Sequence, residues 1–240
     1  MIKQKIKWTN KSNLILERAG SLNRYNDWLL SNFSLYLKGR LLEIGAGLGG
    51  LSRSLPQENL YLADLNSDYV NYLKNEFNAK VLLLDIEKNI SDKYSNYFDA
   101  ILSSNVFEHI KNDQQAINNS YRMLKRGGHF LLFVPACPEI YGSLDTDMGH
   151  FRRYTLREVM EKAQIAGFKI ITAKYANMPG YLTWWGRGVL LGNLIKKAGK
   201  SPLDNFFGRI FDILITPLLY LEKYVSPPFG QSIVLIAQKP

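Results

Sequence analysis

Short apolar runs recur along the chain, at Leu41–Ile44, Leu60–Ala63, Val81–Leu84, Ala100–Leu102, Phe130–Val134, Ile170–Ala173 and Ile233–Ala237. Near-continuous apolar segments of this length suit strands buried on both faces, because a parallel sheet covered by helices has no wet side. The intervals between them show helical spacing. Ser67–Phe77 places Val70, Leu73 and Phe77 on one stripe. Asp113–Leu124 reads as another helix, stopped by Gly127-Gly128. Thr155-Leu-Arg-Glu158 is a capping box opening a helix that carries Val159, Met160 and Ala163 and ends at Gly167. Strands and helices alternate, which predicts an α/β fold with a doubly wound sheet. Residues 12–38, ahead of the first strand, also look helical, with Tyr25, Trp28, Leu29 and Phe33 on one side.

Composition narrows the class. Hydrophobic residues make up 46% and charged residues 21% of the 240, a globular balance that excludes wholesale disorder. The one cysteine, Cys137, forms no intramolecular disulfide and no cysteine-based zinc site. The three histidines, His109, His129 and His150, have no close metal-binding spacing, so no metal is expected. A net charge of +9 points to an anionic partner: substrate phosphates, nucleic acid or an acidic membrane surface. The basic N-terminal stretch has no apolar region of the secretory type, and no run reaches the roughly 20 apolar residues of a membrane span. A cytoplasmic protein, soluble or peripheral, is expected.

The most informative segment is Leu41-Leu-Glu-Ile-Gly-Ala-Gly-Leu-Gly-Gly50. An apolar strand runs into a glycine-rich turn, and Leu51, Ser52 and Leu55 read as the start of a helix. Glycines there let a ligand approach the backbone and permit positive φ. A helix N-terminus would add unpaired N–H groups. Gly45-x-Gly47-x-x-Gly50 fits a dinucleotide fingerprint, whereas Glu43-x-Gly45-x-Gly47-x-Gly49 fits an S-adenosylmethionine loop. Asp64, with Leu65 beside it, closes the second strand and could accept both hydroxyls of a ribose. Asp85 closes the third, where an acid beside apolar Ile86 could hold an adenine amino group and cover its ring. Phe98–Ile110 supplies a fourth strand and a polar turn containing Asn105. In a parallel sheet these strand ends share one edge, the edge at which such folds bind ligands.

Together with Arg24-Tyr-Asn-Asp-Trp28, Asn105-Val-Phe-Glu-His-Ile110 and Leu124-Lys-Arg-Gly-Gly128, these motifs resemble the class I S-adenosylmethionine-dependent methyltransferases of the UbiG-like and type 11/12 groups. Pro135–Asp145, Gly149–Thr155 and Pro227–Ser232 are similar to a bacterial subgroup whose members often accompany glycosyltransferases of surface-polysaccharide synthesis. The resemblance covers roughly residues 20–240. It implies a Rossmann-like seven-stranded sheet of order 3-2-1-4-5-7-6, the last strand antiparallel, with S-adenosyl-L-methionine as cofactor. It also implies that the loop after the fifth strand roofs the acceptor site. The expected organisation is one domain: a helical cap (1–38), a cofactor-binding core (39–179), a helical insertion between strands 6 and 7 (180–225) and the last strand (226–240). Amino-methyltransferases of nucleic acids carry a proline-containing turn after the fourth strand. Here that turn reads Asn105-Val-Phe-Glu108, so no nucleic-acid acceptor is expected.

Methyl transfer from a sulfonium needs alignment, exclusion of water and, for a neutral acceptor, removal of a proton. His109 and His150 are the candidates for that proton. Tyr141, Asp145, Asp147, Arg152, Arg153 and Tyr154 form a candidate acceptor pocket, the arginine pair suiting a phosphate or carboxylate. Tyr25 and Trp28 either close over the methionine end of the cofactor or pack in the core, and His129 is structural. The stretch 181–225 repeats apolar residues at helical spacing, with Trp184, Trp185, Leu190, Leu191, Leu194, Ile195, Phe206, Phe207, Ile210, Phe211, Leu214 and Leu218 beside Lys196-Lys197. It suits a lid, a peripheral membrane contact, a homodimer interface or plain packing on the sheet. The expectation is methylation of a small or lipid-linked acceptor, most readily at a sugar or phenol-like hydroxyl. The rival readings are an NAD-dependent oxidoreductase and a non-catalytic binding module that keeps the cofactor fold.

Overall fold

The computed structural model describes residues 22–185, 213 and 215–240. Seven strands form one sheet: β1 (Leu41–Ile44), β2 (Leu60–Asp64), β3 (Lys80–Leu83), β4 (Phe98–Ser104), β5 (Leu124–Pro135), β6 (Lys169–Ala176) and β7 (Ser232–Gln238). Their order is β3-β2-β1-β4-β5-β7-β6. β7 runs antiparallel to both its neighbours, and the pairings among β1–β5 are parallel. The architecture is therefore the doubly wound one expected from the alternating pattern. Seven helices accompany the sheet among the described residues: α1 (Asn23–Ser31), α2 (Ser67–Glu76), α3 (Asp113–Met123), α4 (Ser143–Met148), α5 (Leu156–Ile165), α6 (Met178–Trp184) and α7 (Thr216–Leu219).

Alternation along each strand sorts side chains onto two faces. Leu42, Ile44, Ile101, Phe130, Leu132 and Leu235 pack with Ile117 and Met123 of α3 and Val159 and Ala163 of α5. Leu41, Leu62, Leu102, Leu131, Phe133 and Ile236 pack with Trp28, Leu29 and Phe33 and with Leu73 of α2. Each such fully buried side chain contributes roughly 1.5–3 kcal/mol. The helices start where local chemistry dictates. Asn66 caps α2 by accepting from Asp68 N at 2.8 Å. At α5, Thr155 Oγ1 accepts from Glu158 N at 3.2 Å while Glu158 accepts from Thr155 N at 2.8 Å, the reciprocal pair that the sequence foretold.

Three local expectations differ from the structure. No α-helix follows the glycine loop: the chain makes a single 3-10 turn, Ser52–Ser54. Leu55 is already extended, with ψ 155°, because the proline at 56 disfavours helical geometry in the residue before it. α3 ends at Met123, and Leu124 already belongs to β5, so Gly127-Gly128 lie inside the strand rather than at a helix stop. There Gly127 N donates to Lys239 O at 2.7 Å. The helix ahead of β1 ends at Ser31, short of the expected residue 38, and residues 12–21 of that expectation lie outside the described residues.

Part of the insertion is anchored to the sheet. Glu222, in the turn after α7, accepts from Asn177 N at 2.8 Å and Met178 N at 2.9 Å and so caps α6. Leu190, Leu191, Leu194, Ile195, Lys196, Lys197, Phe206, Phe207, Ile210, Phe211 and Leu214 lie outside the described residues. No helix among the described residues is long and apolar enough to cross a membrane.

Candidate active site

Because β1–β5 run parallel, their carboxyl ends meet at one edge. The loop after β1 is left-handed at Gly45 (φ 76°), Gly47 (φ 55°) and Gly49 (φ 72°). A Cβ on Gly45 would lie 2.2 Å from Val106 Cγ2, so the turn after β4 presses directly on this loop. Asp64 fixes the other side. Its Oδ2 accepts from Gly47 N and its Oδ1 from Asn66 N, each at 2.8 Å. Burial pushes the Asp64 carboxyl up against the pull of those backbone donors. Glu43, on the same sheet face as Leu41, is buried and accepts from Ser52 Oγ at 2.5 Å. Burial raises its carboxyl to about 7, although the Ser52 hydroxyl favours the charged form.

The outer ends of β2 and β3 carry the remaining cofactor candidates. Leu65 is exposed beside Asp64. Asp85 accepts from Glu87 N at 3.1 Å and pairs with Lys88 at 3.1 Å. Ile86 is buried, and its carbonyl is held by Asn119 Nδ2 at 2.7 Å. Asn105 takes a positive φ of 52° at the end of β4, its N–H donating to Phe133 O at 2.8 Å. Tyr25 packs against Trp28 with ring centroids 5.2 Å apart, and Asn177 Nδ2 lies 3.5 Å from its hydroxyl. Trp28 is a core residue: it is buried, meets Phe133 edge-on and donates to Leu219 O at 3.0 Å. It is therefore not a cover for the cofactor.

A second centre forms where the turn after β4 meets the excursion after β5. Tyr154 N donates to Pro135 O at 2.9 Å and Cys137 N to Tyr154 O at 3.0 Å, closing the base of that excursion. Phe151 N donates to Glu108 O at 2.8 Å and joins the two segments. Inside, buried Asp145 lies 2.8 Å from His150 Nδ1, 2.8 Å from Arg153 Nε and 3.1 Å from Trp184 Nε1. Burial opposes its ionisation, but the His150 bond and the Arg153 charge hold its carboxyl below the ordinary range. His150 Nε2 lies 3.9 Å from Glu108 Oε1. Neither that nitrogen nor either carboxylate oxygen of Glu108 has a hydrogen-bond partner, and all three atoms are buried. Burial raises the Glu108 carboxyl to about 8. The His109 ring stands edge-on to His150, centroids 4.7 Å apart, with its Nδ1 3.3 Å from Gly149 O. Desolvation on its inward side and the neighbouring His150 push the His109 imidazole down, although the residue as a whole is exposed.

Three readings of this region change. The arginines do not form a joint anion clamp: Arg153 is committed to Asp145 and to Ala136 O (2.9 Å), while Arg152 pairs with Asp113 at 2.9 Å and donates to Lys111 O. Tyr154 is buried with its hydroxyl 2.8 Å from Asp113 Oδ2, so it braces α3. Tyr141, half-exposed, donates to His150 O at 2.7 Å. The argument from histidine spacing also does not hold, since the fold brings His109 and His150 together beside Glu108 from separate loops. Sequence reasoning gave Glu108 no site role and placed Trp184 only in the apolar stretch 181–225. The one signal for Glu108 was an acid set between two apolar residues, Phe107 and Ile110, both of which are buried. His129 packs against Tyr36 with ring centroids 4.6 Å apart and the rings tilted by 48°.

Residues 42–132 match the family model described as "Methyltransferase domain". The 5-methylorsellinic acid synthase of Aspergillus terreus is 31% identical over 121 residues, 44% of this chain and 5% of that protein. The chain thus spans a small fraction of the length of such curated relatives. The ribosomal RNA small subunit methyltransferase C of Hamiltonella defensa is 28% identical over 169 residues, 65% of this chain and 47% of the relative. Among solved structures, an S-adenosylmethionine-dependent methyltransferase of Thermotoga maritima superposes with a TM-score of 0.64 at 17% identity, covering 95% of each chain. The matched methyltransferase domain, residues 42–132, thus spans the glycine loop locked to Asp64 and the central strands of a sheet whose order is that of the superposed structure's fold. The donor set fits S-adenosylmethionine: an ionisable carboxylate for a diol at Asp64, a glycine loop without side chains and a buried acid at Glu43.

Proposed function

We propose that this chain methylates a hydroxyl oxygen of a small or lipid-linked acceptor, such as a sugar or a phenol-like ring. The observation that supports the reading is that two chemically different centres share one sheet edge: the glycine loop held by Asp64, and the Glu108–His109–His150 group next to it. When bound, S-adenosylmethionine supplies a methyl group on a positively charged sulfur. Asp64 is assigned to the ribose hydroxyls, Glu43 to the amine-bearing end, and Gly45, Gly47 and Gly49 to close backbone approach. Leu65, Asp85 and Ile86 are assigned to the adenine, and Asn105 and Tyr25 to the reacting end.

Holding two reactants in line replaces a bimolecular encounter, with effective molarities on the order of 10⁵–10⁸ M. A hydroxyl must also lose its proton as the O–C bond forms, and that proton is assigned to the centre containing His109 and His150. Such proton transfer contributes typically about 10²–10⁴-fold. Tyr141 and Arg152 stand at the rim for the acceptor, while Asp145, Arg153 and Tyr154 fix the shape of the centre. The 180–225 segment is assigned as a lid over an apolar acceptor. For a lipid-linked one, its basic and aromatic residues would rest on the inner face of the membrane; a second copy of the chain is the other occupant it suits.

The turn Asn105-Val-Phe-Glu108 lacks proline, which supports a small acceptor over a nucleic acid. The test uses isotopically labelled S-adenosylmethionine with cell extract separated into lipid, glycan, small-molecule and RNA pools. Label gained by a hydroxyl-bearing compound of the first three pools is the expected result. Label confined to RNA would overturn the reading.

A further inference from the structure

The centre formed by Glu108, His109 and His150 has a feature that acid–base chemistry alone does not explain. Two carboxylate oxygens and an imidazole nitrogen are buried with no hydrogen-bond partner. Leaving such groups unpaired costs about 1–3 kcal/mol each, more when charged. Native proteins tolerate this where an ion completes the site.

The three side chains each offer a ligand atom, and these atoms all lie within 4.8 Å of one another. Their surroundings orient them further. Asp145 Oδ1 holds His150 Nδ1 at 2.8 Å, and the Gly149 carbonyl lies 3.3 Å from His109 Nδ1. Each imidazole is thereby engaged through Nδ1, which leaves Nε2 as the free nitrogen. A carboxylate or backbone carbonyl behind the far nitrogen is the usual support of a metal-bound histidine, fixing its tautomer and raising its basicity. Arg153, Gly142 N and Trp184 in turn hold Asp145, so the support is itself rigid.

We propose that Glu108, His109 and His150 bind a divalent transition-metal ion at the carboxyl edge of the sheet. Two imidazoles and one carboxylate select zinc, iron(II) or cobalt over magnesium and calcium, which favour all-oxygen shells. Three protein ligands leave at least one position open, and His109 is exposed, so the site faces outward on one side. An acceptor oxygen at that position would be held and made more acidic, so with the ion bound it is the metal, rather than a free His109 or His150 nitrogen, that would promote loss of the acceptor's proton. Metal binding itself does not rest on the methyl-transfer reading.

Cobalt(II) is the probe, because its visible absorption reports inner-sphere coordination, and zinc(II) serves as competitor. The metal-free protein is expected to take up one equivalent of cobalt with new visible bands that zinc abolishes. His109→Ala and Glu108→Gln should each weaken binding at least tenfold, and His150→Ala likewise. His129→Ala, beside Tyr36, should leave it unchanged. His109 is exposed, so its removal leaves the fold intact, and unaltered S-adenosylhomocysteine affinity in that variant confirms this. That control also keeps a failure of metal binding distinct from a failure of the methyl-transfer reading. Absence of stoichiometric cobalt uptake by the unmodified protein, or equal uptake by His109→Ala and Glu108→Gln, overturns the proposal.

Discussion

The two centres at the sheet edge are built in opposite ways. The glycine loop and Asp64 come from consecutive strands 17 residues apart and are joined by one short bond to Gly47 N. The Glu108–His109–His150 centre draws on segments about forty residues apart, tied by Phe151 N to Glu108 O. The first is almost all backbone and glycine, so it has conformational demands and little charge. The second is almost all ionisable side chains, most of them buried, so it depends on every partner being present. A backbone-built site is sensitive to an added methyl group, whereas a side-chain-built site is sensitive to a removed one.

The largest effect is expected from Asp145→Ala. It leaves Arg153 charged, buried and unpaired and frees His150, and breaking such a pair costs about 3–5 kcal/mol. Thermal unfolding would register a drop of roughly 6–20 °C for a domain of this size. If the drop is under a degree, the second centre is not held together by its charges. Next comes Gly45→Ala. A positive φ of 76° and the Val106 contact make roughly 2–4 kcal/mol the expected loss, read as a lower melting temperature together with lost S-adenosylhomocysteine binding. The two variants should thus separate: the first lowers stability with the glycine loop intact, the second disables the loop itself.

Asp64→Ala removes the acceptor of Gly47 N and Asn66 N along with the proposed ribose partner. One charge-assisted hydrogen bond is worth about 1.5–3 kcal/mol, so S-adenosylhomocysteine should bind some 10–100-fold more weakly in a calorimetric titration. The smallest effect concerns Glu43. Its carboxyl is raised in the folded state to about 7, so the folded protein holds a proton there that the unfolded chain has released above its ordinary value of 4.5. The resulting stability is fully present below that unfolded value and is lost as pH rises through about 7. Between pH 6 and 8 the loss is about 1 kcal/mol, and Glu43→Gln should flatten that slope in urea titrations. An identical slope in the variant would place the titration elsewhere.

The sheet was legible in the sequence because its signal is local and repeated: apolar runs at Leu41–Ile44 and Phe130–Val134, a capping box at Thr155 and glycines in the first loop. Those same local rules misjudged the stretch after the loop, where Pro56 outweighs the apolar spacing of Leu51 and Leu55. They also placed Leu124 in a helix, although its pairing in the sheet is decided by Phe98 on another strand. The cofactor edge was readable for the same reason as the strands, since each of its acids closes an apolar run. The Glu108–His109–His150 centre was not, because no spacing rule relates residues that are brought together by tertiary bonds such as Phe151 N to Glu108 O and Tyr154 to Phe107 O. The arginine pair Arg152-Arg153 shows the converse: neighbours in sequence point to different partners, Asp113 and Asp145.

The central claim is that the glycine loop and Asp64 hold S-adenosylmethionine rather than a nicotinamide dinucleotide. Calorimetric titration of the unmodified protein with S-adenosylhomocysteine and, separately, with NAD tests it most directly. Saturable one-to-one binding of S-adenosylhomocysteine with no measurable heat from NAD is the predicted result. Tight binding of NAD, or no binding of S-adenosylhomocysteine, would contradict it.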